Sequence, residues 1–282
     1  MLKPSQIDPV IKAALQEDLG PKDITSAAVI PAAMHFKADI TVNQEGILCG
    51  IGVTERVFRL VDENIRFLPV AKDGEVLEKG REVAYIEGGG GILSAERTAL
   101  NLLSHLSGIA TKTRQFVDKV KGTSAKILDT RKTTPGLRLL EKYAVATGGG
   151  VNHRMGLYDQ VLIKDNHLRV LRDLPMAKIV EQAKKKALKR TVIGIEVKNL
   201  KEFAEAIKTP VDYILLDNMD AGMVAEAVRL RKASGAKMDL EVSGGVNIDN
   251  VLGYAKTGVE RISVGCLTHD APALDISLDI VG

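Results

Sequence analysis

The sequence predicts an α/β protein in which a parallel sheet wrapped by helices forms the larger of two parts. Three observations lead there. The chain has 282 residues, long for one domain and short for three, so one large domain and one smaller one are expected. From about residue 126 onward, apolar strand-like runs alternate with helical runs, the pattern of a parallel sheet covered on its faces. Candidate strands at 126–129, 159–163, 192–197, 211–216, 238–242 and 260–264 occupy about 140 residues with short connections, which suits a barrel better than an open sheet.

Taken in order, residues 5–17 read as a short amphipathic helix with Ile11, Ala14 and Leu15 on one face. The loop that follows, Glu17-Asp18-Leu19-Gly20 and Asp23-Ile24-Thr25-Ser26, is rich in turn and cap residues. Residues 36–48 and 65–86 alternate apolar and polar positions around a helix near 52–62. The segment from Asp73 to Gly88 is hairpin-like and resembles a biotinyl/lipoyl carrier, but the Met-Lys-Met acceptor turn is absent, so it reads as part of a small sheet. After Gly88–Gly91 the character changes. Residues 95–120 form a long helix, with Leu100, Leu103, Leu106 and Ala110 at helical spacing, then Phe116 and Val117. Ser94 is its expected N-cap. Further on, Pro135 and Pro175 are expected at first helical positions. Asn199, three residues before Glu202, gives a capping-box variant, and Asn247 can cap the next helix. Gly235 and Gly258 stand where helices should stop.

Composition narrows the partners. Hydrophobic content of 45% and charged content of 27% are ordinary for a globular core. A net charge of only +3, 4% aromatic residues and no Trp argue against a nucleic-acid surface. Cys49 and Cys266 belong to no metal motif and point to a reducing, cytoplasmic setting. The N-terminus opens no apolar run, and no stretch reaches the ~18 apolar residues that span a bilayer.

The chemistry sits at the strand ends, where parallel α/β folds bind ligands. The six candidate strands end in Asp129-Thr130-Arg131-Lys132, Lys164-Asp165-Asn166-His167, Glu196-Val197-Lys198, Asp217-Asn218, Ser243-Gly244-Gly245 and Val264-Gly265. Glycines at the last two let backbone N–H groups approach phosphate oxygens, and a helix starting after Gly245 would point its positive end there. Arg131, Lys132, His153, Arg154 and Lys164 gather cations at one mouth, and like charges repel unless an anion compensates. Arg and Lys in such numbers suit carboxylates and phosphates. Arg97 falls in the first turn of the long helix, where a cation opposes the dipole. Glu196 and Asp217 suit sugar hydroxyls or a divalent metal bridging to phosphate. Together they call for a ligand with phosphate, hydroxyls and carboxylates.

These residues resemble a known family. Glu96-Arg97-Thr98-Ala99-Leu100-Asn101, Asp129-Thr130-Arg131-Lys132-Thr133-Thr134-Pro135-Gly136-Leu137-Arg138, Gly148-Gly149-Gly150-Val151-Asn152-His153-Arg154, Leu162-Ile163-Lys164-Asp165-Asn166-His167, Glu196-Val197, Leu215-Leu216-Asp217-Asn218-Met219 and Leu240-Glu241-Val242-Ser243-Gly244-Gly245 are similar to quinolinate phosphoribosyltransferases. The likeness runs from about residue 8 to 280, and the acidic loop of type I phosphoribosyltransferases is absent. The resemblance implies a type II fold: an N-terminal open-faced α/β sandwich over 1–110, to which the last dozen residues can return, and an incomplete α/β barrel of about seven strands over 111–270. It implies transfer of phosphoribosyl from phosphoribosyl pyrophosphate to quinolinate, with decarboxylation to nicotinate mononucleotide. It also implies Mg²⁺ as cofactor and a homodimer in which Arg97 completes the partner's site.

Carried over residue by residue, Arg131, His153, Arg154 and Lys164 would hold the quinolinate carboxylates, with Thr130 beside them. Lys132 and Lys164 would face the pyrophosphate. Glu196 and Asp217 would hold ribose hydroxyls and Mg²⁺. Ser243, Gly244, Gly245, Val264 and Gly265 would cradle the 5-phosphate, with His269 near. Lys132, Lys164, Glu196 and Asp217 form the expected catalytic set. The alternatives are a paralogous pyrophosphorylase or nicotinate-using relative, a Schiff-base aldolase built on Lys164, and a non-catalytic sugar-phosphate sensor.

Overall fold

The computed structural model of the chain describes residues 2–281. It divides into two compact units, one made of the chain up to Arg114, Thr134–Gly149 and the segment from Asp270 onward, the other of Gln115–Thr133 and Gly150–His269.

The first unit opens with α1 (Pro4–Leu19) and α2 (Ile24–Val29), then β1 (Phe36–Val42), β2 (Gly46–Ile47), α3 (Ile51–Val61), β3 (Arg66–Pro69), β4 (Val76–Leu77) and β5 (Glu82–Gly88). Its main sheet is antiparallel, with the C-terminal strand added at one edge next to β1, then β5 and β3. Period-two alternation buries one face of β1 through Ala38, Ile40 and Val42. Arg56 on α3 grips Asp8 on α1 at 2.7 Å. The long helix α4 (Gly91–Lys119) starts in this unit and runs into the second. It begins three residues before Ser94, so Ser94 is not its cap. The Ser94 hydroxyl instead donates to Asp23 Oδ2 at 2.9 Å, while Asp23 Oδ1 caps α2 by accepting from Thr25 N and Ser26 N. Arg97 consequently lies in the second turn of α4 rather than the first.

The second unit holds β6 (Lys126–Leu128), and α5 (Arg138–Thr147) follows in the chain. Next come β7 (Val161–Ile163), α6 (Asp165–Val170), α7 (Met176–Lys186), β8 (Ile193–Val197), α8 (Leu200–Ala206), β9 (Tyr213–Asp217), α9 (Ala221–Ser234), β10 (Asp239–Ser243), α10 (Val251–Lys256), β11 (Arg261–Ser263) and α11 (Cys266–His269). The chain closes with β12 (Ile276–Val281), which pairs antiparallel with β1 from Val42↔Ile276 to Lys37↔Val281.

Within the span 111–270 expected for the barrel, one stretch groups elsewhere. Helix α5 belongs with the first unit. There the Tyr143 hydroxyl donates to Asp73 Oδ2 at 2.6 Å and Glu141 Oε1 meets His105 Nε2 at 3.0 Å. Gly148, at the end of α5, sits so close to α4 that a Cβ there would lie 2.4 Å from the Ala110 carbonyl oxygen.

The strands of the second unit form one six-stranded parallel sheet in the order β6-β11-β10-β9-β8-β7. Its two end strands, β6 and β7, are the unit's first and second along the chain, so the barrel is incomplete between them. The expected seventh strand is reduced there to one parallel bridge, Leu128↔Val151. Both faces of the central strands are covered, and all five residues of β8 are buried. Gly194 on β8 stands opposite Tyr213 on β9, whose ring fills the space a Gly194 side chain would need: a Cβ would come within 2.2 Å of it.

The helix boundaries depart from expectation where local signals compete. Pro135 lies in a turn ahead of α5, whose N-cap is Leu137. Pro175 is the N-cap of α7, one residue before its first turn. Asn199 caps α8 as expected, accepting from Glu202 N at 2.9 Å. Asn247 accepts from Asp249 N and Asn250 N within a turn, which delays α10 to Val251 with Asn250 at its N-cap. No helix thus follows directly on Gly245. Gly235 ends α9 in the left-handed region with φ 71°.

Candidate active site

A cavity of about 490 Å³ opens at the carboxyl ends of the second unit's strands. Residues 130–132, just beyond β6, form one wall. Lys132 N donates to Thr130 Oγ1 at 3.0 Å, and Thr268 Oγ1 donates to the Lys132 carbonyl at 2.6 Å, which fixes this turn against α11. Lys164 ends β7. Its backbone N–H donates to His167 Nδ1 at 2.8 Å, and its Nζ reaches Glu196 Oε2 at 3.0 Å. Glu196, on β8, is 6% exposed. Asp217 ends β9, facing Ser243 in register. An ammonium held by a buried carboxylate is a poor nucleophile, which counts against a Schiff base at Lys164.

Ser243, Gly244 and Gly245 follow from β10. Gly244 and Gly245 have φ of 94° and 64°, conformations that L side chains rarely adopt. Gly244 also has no room, since a Cβ would lie 2.3 Å from Asn218 Oδ1. Asn218, itself at φ 55°, donates its N–H to the Ser243 carbonyl at 2.8 Å. The turn is therefore packed against the end of β9, with its backbone facing the cavity.

His153 and Arg154 line the cavity and are 8% and 6% exposed. The Arg154 pKa lies below its ordinary value, first because burial penalises its charge and then because Arg131 carries a like charge nearby. Leu162 and Leu215 add apolar wall, together with Tyr213 beneath. Of the expected residues, Thr130, Arg131, Lys132, His153, Arg154, Lys164, Glu196, Asp217, Ser243, Gly244 and Gly245 all line this one cavity.

Val264, Gly265 and His269 are not among the lining residues. Val264 N donates to the Leu128 carbonyl at 2.9 Å. A Cβ on Gly265 would lie 3.1 Å from Lys132 Cδ and 3.3 Å from His269 Nε2, so these residues adjoin the Lys132 wall. Arg97 lies in the first unit, its side chain 64% exposed and 3.7 Å from neighbouring Glu96.

Sequence reasoning gave no role to Glu241 or Ser263. Both lie on the cavity floor, with Glu241 Oε1 accepting from Ser263 Oγ at 2.6 Å and Oε2 from Arg261 Nε at 2.8 Å. Burial works against the Glu241 charge, but its contacts with His153 first, then Arg261 and Ser263, hold its pKa below the ordinary value. A readable signal existed: a carboxylate in mid-strand among apolar residues, in a sheet covered on both faces, must be paired.

An incomplete parallel α/β barrel with a cation-lined cavity beside a glycine turn defines a class of barrel proteins built to bind phosphate and carboxylate together. Sequence models for the N-terminal and C-terminal domains of quinolinate phosphoribosyl transferase match residues 23–107 and 109–279. The chain belongs to the quinolinate phosphoribosyltransferase family. It is 39% identical to the probable nicotinate-nucleotide pyrophosphorylase (carboxylating) of Bacillus subtilis, covering 98% of this chain and 93% of that one. It is 41% identical to the nicotinate-nucleotide pyrophosphorylase (carboxylating) of Mycobacterium leprae, covering 96% and 95%. The crystal structure of nicotinate-nucleotide pyrophosphorylase from Ehrlichia chaffeensis superposes with a TM-score of 0.90 at 41% identity, covering 97% and 98%.

Proposed function

We propose that this protein transfers the phosphoribosyl group of phosphoribosyl pyrophosphate to quinolinate, releasing pyrophosphate and CO₂ and forming nicotinate mononucleotide for NAD synthesis. The observation that carries the reading is the meeting, in one cavity, of four cationic side chains, three carboxylates and a glycine turn, drawn from five strands and the loop before β7. Family membership supports it.

Arg131 and Arg154 suit the ring carboxylates, and Leu162 and Leu215 suit the flat face of a pyridine. The turn at Ser243–Gly245 suits the 5-phosphate through its backbone N–H groups. Lys132 and Lys164 face the pyrophosphate. As the C1–O bond loosens, its electron pair leaves with pyrophosphate. Glu196 and Asp217 stabilise the positive charge developing at the ribose through its hydroxyls. The pyridine nitrogen, held in line, attacks C1 and becomes cationic. Its positive charge then stabilises the electron pair left on the neighbouring ring carbon when the adjacent carboxylate departs as CO₂, and that pair takes a solvent proton to form the new C–H bond.

Among the described residues no cluster of three or more His, Cys, Asp or Glu is placed to hold a metal. The two oxygen-donor carboxylates Glu196 and Asp217, at the ends of neighbouring strands, nevertheless suit a hard cation. Glu196 and Asp217 would hold Mg²⁺ there, and it would supply charge neutralisation at the leaving group. Exposed Arg97 suits a homodimer in which it completes the partner's cavity. No helix among the described residues is long and apolar enough to cross a membrane, in keeping with a cytoplasmic setting.

The test is incubation of the protein with carboxyl-labelled quinolinate, phosphoribosyl pyrophosphate and Mg²⁺. Equal yields of CO₂ and pyrophosphate are expected, and both should cease with EDTA. Folded protein that releases neither rejects the reading. Equal turnover of nicotinate would point to the nicotinate-using relative, and undiminished activity in EDTA would remove the metal.

A further inference from the structure

His153 was expected to grip a substrate carboxylate, but its ring is engaged otherwise. Nδ1 accepts the backbone N–H of Arg154 at 2.7 Å. A nitrogen that accepts an N–H carries no proton, so the ring is neutral and its proton sits on Nε2. Nε2 lies 3.2 Å from Glu241 Oε1 and 3.5 Å from the Tyr213 hydroxyl. Glu241 is fully buried, as a carboxylate must be only when paired. With His153 neutral, the charge that answers it is that of Arg261, whose guanidinium also stacks 4.7 Å over the Tyr213 ring. Arg154 is tied on its other side by Nη1 donating to the Gln160 carbonyl at 3.3 Å.

We infer that Glu241 is a positioning residue for substrate recognition: it fixes the tautomer of His153, and the His153 ring in turn holds the Arg154 backbone so that its guanidinium is aimed into the cavity. The inference rests on the reading of this cavity as the quinolinate site. A glutamine at position 241 cannot take over the role. If its amide NH₂ faces Arg261, donor meets donor there. If the NH₂ faces His153, the ring proton must move to Nδ1, where it meets the Arg154 N–H. The charged guanidinium of Arg261 claims the amide oxygen, so the second arrangement prevails and loosens Arg154, while the phosphate turn, tied to Asn218 through the Ser243 carbonyl, stays as it was.

The experiment begins with the unmutated protein carrying ¹⁵N-labelled histidine, in which His153 is assigned by its loss in His153→Gln. A protonated Nε2 and an unprotonated Nδ1 are expected. A proton on Nδ1, or on both nitrogens, overturns the inference without any variant. Glu241→Gln should then shift the tautomer and raise KM for quinolinate by about tenfold, the loss expected when a charge-assisted contact is misaimed, with KM for phosphoribosyl pyrophosphate held within about twofold. Ser263→Ala, which keeps the carboxylate and its Arg261 partner, should give a smaller change in the same direction. If Glu241→Gln does not fold, Ser263→Ala carries the kinetic arm. A fall in kcat with both KM values unchanged, or an unaltered tautomer, assigns Glu241 a packing role only and overturns the inference. If the wild type releases no CO₂ from quinolinate, the functional reading fails, while the tautomer measurement still decides the link between Glu241 and His153.

Discussion

Arg131 and Arg154 share a cavity wall, and their mutual repulsion depresses the Arg154 pKa beyond what burial alone does. Two like charges held close repel, and a dianion relieves the repulsion. Arg131→Ala should therefore raise KM for quinolinate at least about tenfold, in line with the ~1.5–3 kcal/mol of a hydrogen bond to a charged group, while KM for phosphoribosyl pyrophosphate changes little. Steady-state kinetics with each substrate varied in turn checks this, and equal losses for both contradict the assignment. Asp23 shows another use of a charge. Its hydrogen bonds to Ser26, Ser94 and Thr25 lower its pKa from 3.8 to about 2. A carboxylate with a depressed folded value contributes stability that is complete above pH 3.8 and disappears as pH falls through about 2. Acid unfolding of the wild type should accordingly be steeper between those limits than that of Asp23→Asn, and superimposable curves would show that the cap carries none of the acid sensitivity.

At the scale of the element, two glycines do different work. Gly244 is required both by its backbone conformation in the turn after β10 and by the Asn218 side chain against it, whereas Gly194 is required by space alone, because the Tyr213 ring lies across it. Gly194→Ala should destabilise by ~1–3 kcal/mol, the usual cost of overpacking, and lower Tm by a few degrees per kcal/mol. An unchanged Tm would mean that the ring slides aside freely. The strands of the second unit were readable because apolar runs rich in β-branched residues end in polar clusters, and each of its six strands falls on or within a residue of an expected one. Helix starts were less readable. Ser94, Pro135 and Asn247 each carry a valid local signal, yet tertiary contacts recruit Ser94 to Asp23, and turns absorb the other two. The cavity's cations and glycines were legible as strand-end residues. Glu241 was legible only in part: in a covered sheet a mid-strand carboxylate must be paired, but no local pattern names its partners Arg261 and Ser263, 20 and 22 positions further on. The affiliation of α5 with the first unit depends on pairings between residues 36 and 70 positions apart, which no local pattern encodes.

At the scale of the molecule, the proposed homodimer makes a quantitative demand. Arg97→Ala and Lys164→Ala should each be inactive alone. Mixed and allowed to exchange subunits, they should recover on the order of a quarter of wild-type activity, since half of the dimers are hybrids and each hybrid has one intact site. Activity measured after exchange, with hybrids verified by mass, tests this, and continued inactivity would confine each site to its own chain. The C-terminal strand bears on how such work is done. Because β12 covers the outer edge of β1 along six residue pairs, shaving the tail would leave a row of backbone donors and acceptors bare, an invitation to neighbouring chains to zip on. A shortened protein that precipitates would then report a lost edge guard rather than a damaged catalyst, and affinity handles belong at the opposite terminus.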